Sequence, residues 1–141
     1  MKTILSILLL TCCSLHAQRE TRSLDAGWVF SLEDTPNASV PSFNDSAWNA
    51  ISVPHDWSFA AGVSEDGAQR DKGGYYSGGI GWYRTTFDVP ALSPDTKTSI
   101  EFDGVYMNSE VWINGQKLGK FPYGYLSFSY DLTPHLKAGA N

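Results

Sequence analysis

Cysteine is almost missing from this chain. The two it has, Cys12 and Cys13, sit side by side near the start, so the body of the protein has neither disulfide nor thiolate chemistry to draw on. Basic runs are missing too. With 10 Lys and Arg against 15 Asp and Glu the net charge is −5, and no stretch can follow a phosphate backbone, which argues against nucleic acid as the main partner. No apolar run reaches the about 20 residues that cross a bilayer. His55 and His135 lie far apart with no Cys or spaced carboxylate set beside them, so no metal site is expected. Gly78-Gly79-Ile80-Gly81 leads into a strand rather than a helix N-terminus, which excludes a phosphate cradle. No cofactor is expected.

The first residues stand apart from the rest. Lys2 gives a positive start, Ile4 to Leu10 form an apolar run broken by Ser6, and Leu15-His16-Ala17 precedes Gln18. Residues 1–17 therefore read as a secretory leader cut after Ala17, with the product exported to the periplasm or beyond. A lipoprotein signal is the rival, but Thr11 and Cys12 poorly match the small residue such a site prefers. Loss of Lys2 takes the net charge from −5 to −6.

What remains is rich in rings and turns. The chain is 42% hydrophobic and 13% aromatic with 13 Gly, enough for one domain with a core. Its clearest signal runs from Ser99 to Leu118. Ile100 and Phe102 alternate with Glu101 and Asp103, the period of a half-buried strand. Glu110 to Ile113 then meets Asn114-Gly115, the dipeptide of a type I′ hairpin turn. That turn sets Ile113 opposite Gln116, Trp112 opposite Lys117 and Val111 opposite Leu118, with the Lys117 stem across the Trp112 ring.

Further strands are expected over 23–32 (Trp28, Phe30 and Leu32 on one face), 50–54, 81–89 and 126–130 (Leu126, Phe128 and Tyr130 on one face). Pro54 and Pro90 close two of them. Phe43 to Trp48 reads as a compact turn whose Asn and Asp bond their own backbone. The stretch 59–81 is long, irregular and Gly-rich, a pattern that is usually functional or disordered. Thr133 to Gly139 reads as one helical turn with Thr133 as its cap. The class is all-β: an antiparallel β-sandwich, cut off before its last strands.

The order of motifs points further. Asp25-Ala26-Gly27-Trp28, Val53-Pro54-His55-Asp56-Trp57, Gly78-Gly79-Ile80-Gly81-Trp82-Tyr83-Arg84, Phe102-Asp103-Gly104-Val105, Val111-Trp112-Ile113-Asn114-Gly115, Leu118-Gly119 and Tyr130-Asp131-Leu132-Thr133 with Gly139-Ala140-Asn141 occur in a set sequence. Together they resemble the N-terminal, sugar-binding-like domain of glycoside hydrolase family 2, its β-galactosidase branch most of all. The resemblance covers nearly all of residues 18–141 and implies a jelly-roll sandwich of the galactose-binding-domain type. It implies that an immunoglobulin-like domain and a TIM barrel follow in the same polypeptide. The barrel would carry two glutamates about 5 Å apart, one acid/base and one nucleophile, acting with retention. No catalytic residue is then expected in this chain, whose loops help wall the sugar pocket.

Under that resemblance, four residues are the substrate-facing candidates. His55 and Asp56 follow a strand-ending proline beside Trp57 and could bond sugar hydroxyls. Tyr75 and Tyr76 could be brought to the barrel mouth by their glycine-rich loop. Against this, Asp56 could cap a local turn and Trp57 could pack the core. Trp82 and Tyr83 read as packing residues, and Arg84 as the partner of an acidic neighbour. A stand-alone carbohydrate-binding sandwich, secreted without a barrel, is the alternative reading.

Overall fold

A computed structural model describes residues 19–65, 67 and 74–141. The expected leader, residues 1–17, lies outside the described residues. Among the described residues, nine short strands, one helix of five residues and one 3₁₀ turn follow each other in the order β1 (Trp28–Ser31), β2 (Asn49–Ile51), α1 (Trp57–Ala61), β3 (Trp82–Arg84), β4 (Asp88–Val89), β5 (Ser99–Phe102), β6 (Ser109–Ile113), β7 (Gln116–Phe121), β8 (Phe128–Asp131), the 3₁₀ turn (Thr133–His135) and β9 (Gly139–Ala140). Every strand pairing is antiparallel, and the expected β-sandwich class stands.

β1 is central in a sheet ordered β2-β1-β3, while β4 pairs β9, β5 pairs β8 and β6 pairs β7. The deep interior is thin. Phe30, Ala38, Ile113 and Leu132 are the buried hydrophobic side chains among the described residues, so cohesion falls to half-buried rings around them. Phe30 packs against Tyr83 and His55, Trp82 stacks on Trp112 at 5.2 Å, and Phe128 stacks between Phe102 and Phe121. Offset and edge-on ring pairs of this kind are worth about 0.5–1.5 kcal/mol each beyond the area they bury.

The hairpin forms where Asn114-Gly115 puts it, with φ of 50° and 82° at the two turn positions. Ile113 faces Gln116 and Trp112 faces Lys117, and the Lys117 ammonium lies 5.5 Å from the Trp112 ring centre. The register then departs from expectation. Val111 pairs with Gly119, not Leu118, because a bulge intervenes between Val111 and Trp112. Gly119 sits under the Tyr130 ring, which a Cβ there would meet at 2.6 Å. The bulge therefore places the one residue that tolerates Tyr130 at the paired position.

Other expectations need correction. Leu32 and Leu126 lie outside their strands and are exposed, so neither shares the inward face of Phe30 or of Phe128 and Tyr130. The run 81–89 breaks into β3 and β4. Thr85 Oγ1 donates to Gly27 O, and the chain then changes partner, the Phe87 backbone pairing with that of Asn141. The helical turn near the end is shorter than expected and is not capped by Thr133. Instead Asp131 Oδ1 accepts from Thr133 N at 2.8 Å, and those Thr133 bonds hold the Asp131 carboxyl below the usual carboxylate range. The last residues form β9 against β4.

Candidate functional site

His55 and Asp56 leave β2 through a cis Val53–Pro54 bond and enter α1. Asp56 is the helix cap: its Oδ1 accepts from Phe59 N at 3.0 Å, and Gly62, at φ 75°, ends the helix. The capping role expected as the alternative for Asp56 is the one observed. Helix α1 itself was not legible. Five residues carry no apolar period, and only the Asp-to-Gly spacing of caps marks it.

His55 turns inward. Its Nδ1 and the Tyr83 hydroxyl share a hydrogen bond of 3.0 Å, and its ring meets Phe30 edge-on at 5.0 Å. Burial of Tyr83, with the Asp56 carboxylate nearby as the lesser cause, pushes its phenol up to about 12. The phenol is thus a fixed neutral group at working pH. The folded state resists ionising Tyr83 whereas the unfolded chain loses that proton near pH 10. Stability is therefore full below pH 10 and falls as pH rises from 10 towards 12. Urea melts at pH 8, 10 and 11 should show this fall in the protein and a smaller one in Tyr83→Phe.

The Gly-rich run before β3 serves packing. The Trp57 indole lies across Gly79 and Gly81; a Cβ on Gly81 would come within 2.8 Å of the Phe30 ring and 3.3 Å of Trp57 Nε1. Trp57 is half-buried there, the packing role expected as its alternative. Ser58 Oγ donates to Ser77 O at 2.8 Å, which ties α1 to the loop leading to β3.

Tyr75 and Tyr76 are brought to that helix. Tyr76 bridges to Val63, and its ring lies 6.1 Å from that of Phe59. Tyr75, at φ 63°, accepts from Ser64 N through its carbonyl and leaves its side chain exposed. Three of the four candidates thus gather on one patch: Asp56 caps the helix that carries Phe59, and Tyr75 and Tyr76 lie alongside. His55 lies behind it, tied to Tyr83. Phe59, Val63 and Ile80 are exposed on these same segments, and sequence reasoning missed all three because nothing in an irregular run distinguishes them. Among the described residues no group of three or more His, Cys, Asp or Glu could hold a metal ion. The patch offers the rings of Phe59, Tyr75 and Tyr76, two phenol hydroxyls and the Asp56 carboxylate.

The model for the family described as glycosyl hydrolases family 2, sugar binding domain, matches residues 21–141. This chain belongs to that family. Its fold places the family domain beside known relatives. It is 50% identical over 141 residues to a Formosa agariphila protein provisionally named a β-glucuronidase, covering 97% of this chain and 14% of the relative. It is 49% identical over 124 residues to the β-galactosidase BoGH2A of Bacteroides ovatus, covering 88% of this chain and 15% of the relative. A crystal structure of a β-glycosidase from Bacteroides vulgatus superposes with a TM-score of 0.81 at 45% identity, over 86% of this chain and 16% of that one. The family domain described here thus spans about one seventh of the length of these relatives. Among the described residues no helix is long and apolar enough to cross a membrane.

Proposed function

We propose that this family 2 domain is the leading part of an exported, retaining exo-glycosidase of the β-galactosidase type. Residues 1–17 serve as the export leader, and a longer polypeptide supplies an immunoglobulin-like domain and a catalytic barrel. In that protein the domain braces the fold. It lends Asp56, Tyr75 and Tyr76, with Phe59 beside Tyr76, to the rim of the sugar pocket, and His55 supports that rim from behind through Tyr83. The observation that carries this reading is the family match over residues 21–141, made by a chain that covers only 14–16% of its glycosidase relatives. The division of labour follows from it. The patch has rings and hydrogen-bonding groups, but retaining hydrolysis needs two opposed carboxyl groups about 5 Å apart, and Asp56 is occupied as a helix cap.

The test uses nitrophenyl β-galactoside and nitrophenyl β-glucuronide. The 141-residue chain should hydrolyse neither. The polypeptide read from the continuing gene should hydrolyse the galactoside faster than the glucuronide. Turnover by the chain alone, or a gene that encodes no barrel, would overturn the proposal.

A further inference from the structure

The turn that shapes the β6–β7 hairpin carries a chemical hazard. In an Asn-Gly pair no side chain hinders the glycine nitrogen from attacking the asparagine amide carbon, so such pairs lose ammonia through a cyclic imide more readily than other asparagines. The dipeptide occurs once in this chain, at Asn114-Gly115. The fold cannot avoid the hazard by changing the glycine. Gly115 stands at φ 82°, and a Cβ there would come within 3.1 Å of Pro41 Cδ.

The asparagine is committed as well. It takes φ 50°, which asparagine tolerates better than most residues, and its amide binds outside the turn. Asn114 Nδ2 donates to His135 O at 2.9 Å and to Asn141 Oδ1 at 2.8 Å. That acceptor is itself fixed, since Asn141 Oδ1 also takes a bond from Lys137 N at 2.8 Å while its Nδ2 donates to Lys137 O and Gly139 O. All these bonds are internal to the chain, whatever packs outside it.

The bonds on Asn114 Nδ2 oppose imide formation in two ways. Attack turns the planar amide carbon tetrahedral, which moves Nδ2 out of the plane in which it meets both acceptors. Donation from Nδ2 also strengthens the C–N bond that must break and makes Cγ a poorer electrophile.

We propose that Asn114 is a latent deamidation site, held closed by His135 O and Asn141 Oδ1 and released when the Asn141 clasp opens. In the step itself the Gly115 nitrogen gives up its proton and bonds Asn114 Cγ. The Cγ–Nδ2 bond breaks, and Nδ2 departs with that proton as ammonia. Water then opens the imide on one side or the other. One opening leaves an aspartate, and the other an isoaspartate whose main chain runs through the side chain. Either product carries a carboxylate, which donates to neither His135 O nor Asn141 Oδ1, so the clasp does not re-form. The modification is thus a one-way record of local opening where the hairpin meets the last strand.

The test keeps the 141-residue chain at mildly alkaline pH, folded or unfolded in guanidinium, and maps residue 114 by peptide mass. Isoelectric focusing follows the same change, since each conversion takes the net charge from −5 to −6. The folded chain should convert about tenfold or more slowly than the unfolded one. Asn141→Ala should raise the folded rate about fivefold or more. Asn141→Asp separates the bond from stability alone. It keeps an acceptor for Asn114 Nδ2 while losing the donors to Lys137 and Gly139, and it should stay within about twofold of the parent rate. A thermal melt fixes a temperature at which all three proteins are folded. Conversion as fast folded as unfolded, no acceleration in Asn141→Ala, or equal acceleration in Asn141→Ala and Asn141→Asp overturns the proposal.

Discussion

Arg84→Ala is expected to lower the unfolding free energy by about 2–4 kcal/mol, the largest loss of any single substitution considered for this chain. One guanidinium holds four groups from a segment 39 to 46 residues away in sequence. Its Nε donates to Asp45 Oδ2 at 2.9 Å and its Nη1 to Ala38 O at 2.7 Å, with longer contacts to Val40 O and Pro41 O. It also lies 5.9 Å from the centre of the Phe43 ring. Ala38 is 1% exposed with the guanidinium in place, and its carbonyl takes its hydrogen bond from Arg84. The segment 38–48 has no strand of its own to hold it. Arg84 ties it to β3, and the loss is therefore one of tertiary attachment as well as of hydrogen bonds. Arg84→Lys should recover less than half of it, because a point ammonium cannot reach carboxylate and carbonyls together. Asp45→Ala should cost only about 1 kcal/mol, since three carbonyls still satisfy the guanidinium. Urea midpoints of the four proteins, at a constant m-value, measure these differences. A loss under about 1 kcal/mol for Arg84→Ala would mean that the segment is held by Phe43 and Trp48 instead.

Arg84 also shows how far this sequence can be read. That it pairs with an acidic side chain was legible from a lone cation in an apolar strand. Which acid it takes was not, because Asp45 sat in a turn where its own backbone was the expected partner. Asn44 does make that local bond, its Oδ1 accepting from Ser46 N at 3.1 Å. The hairpin at Asn114-Gly115 was fully legible, since its requirement for positive φ at two successive residues is met by few dipeptides. Its bulge was hidden, because the need for glycine at position 119 comes from Tyr130, in another strand.

The candidate site was half visible for a similar reason. The sequence offered His55 with Asp56 and Tyr75 with Tyr76 as two separate pairs, and the structure brings Asp56, Tyr75 and Tyr76 to one helix with His55 behind it. Their individual roles depend on contacts between segments: Tyr83 for His55, and Gly79 and Gly81 for Trp57. Period-2 alternation likewise overran at Leu32 and Leu126, where the pattern continues but the pairing partner does not. Alternation reports which face a residue would take in a strand and is silent on where the ladder ends.

Asn141→Ala is expected to cost about 2 kcal/mol, an unusual loss for a half-buried polar residue. Its amide is a four-way clasp. Oδ1 accepts from Lys137 N at 2.8 Å and from Asn114 Nδ2 at 2.8 Å, while Nδ2 donates to Lys137 O and to Gly139 O, each at 2.7 Å. Asn114 Nδ2 donates further to His135 O at 2.9 Å. The clasp thus joins the hairpin turn to the segment after the 3₁₀ turn, and it positions the Asn141 backbone for its two bonds with Phe87. Asn141→Asp keeps both acceptors, removes both donors and sets an anion against two carbonyl oxygens, so it should be no milder than alanine. Asn114→Gly keeps the φ of 50° that the turn requires and removes only the amide, for a cost of about 1 kcal/mol. Because the two amides share a bond, the double variant should lose less than the sum of the singles, by roughly 0.5–1 kcal/mol. Chemical denaturation of the four proteins in that cycle gives the coupling directly. Strict additivity would show that the hairpin and the end of the chain are held independently, and that the shared hydrogen bond contributes nothing.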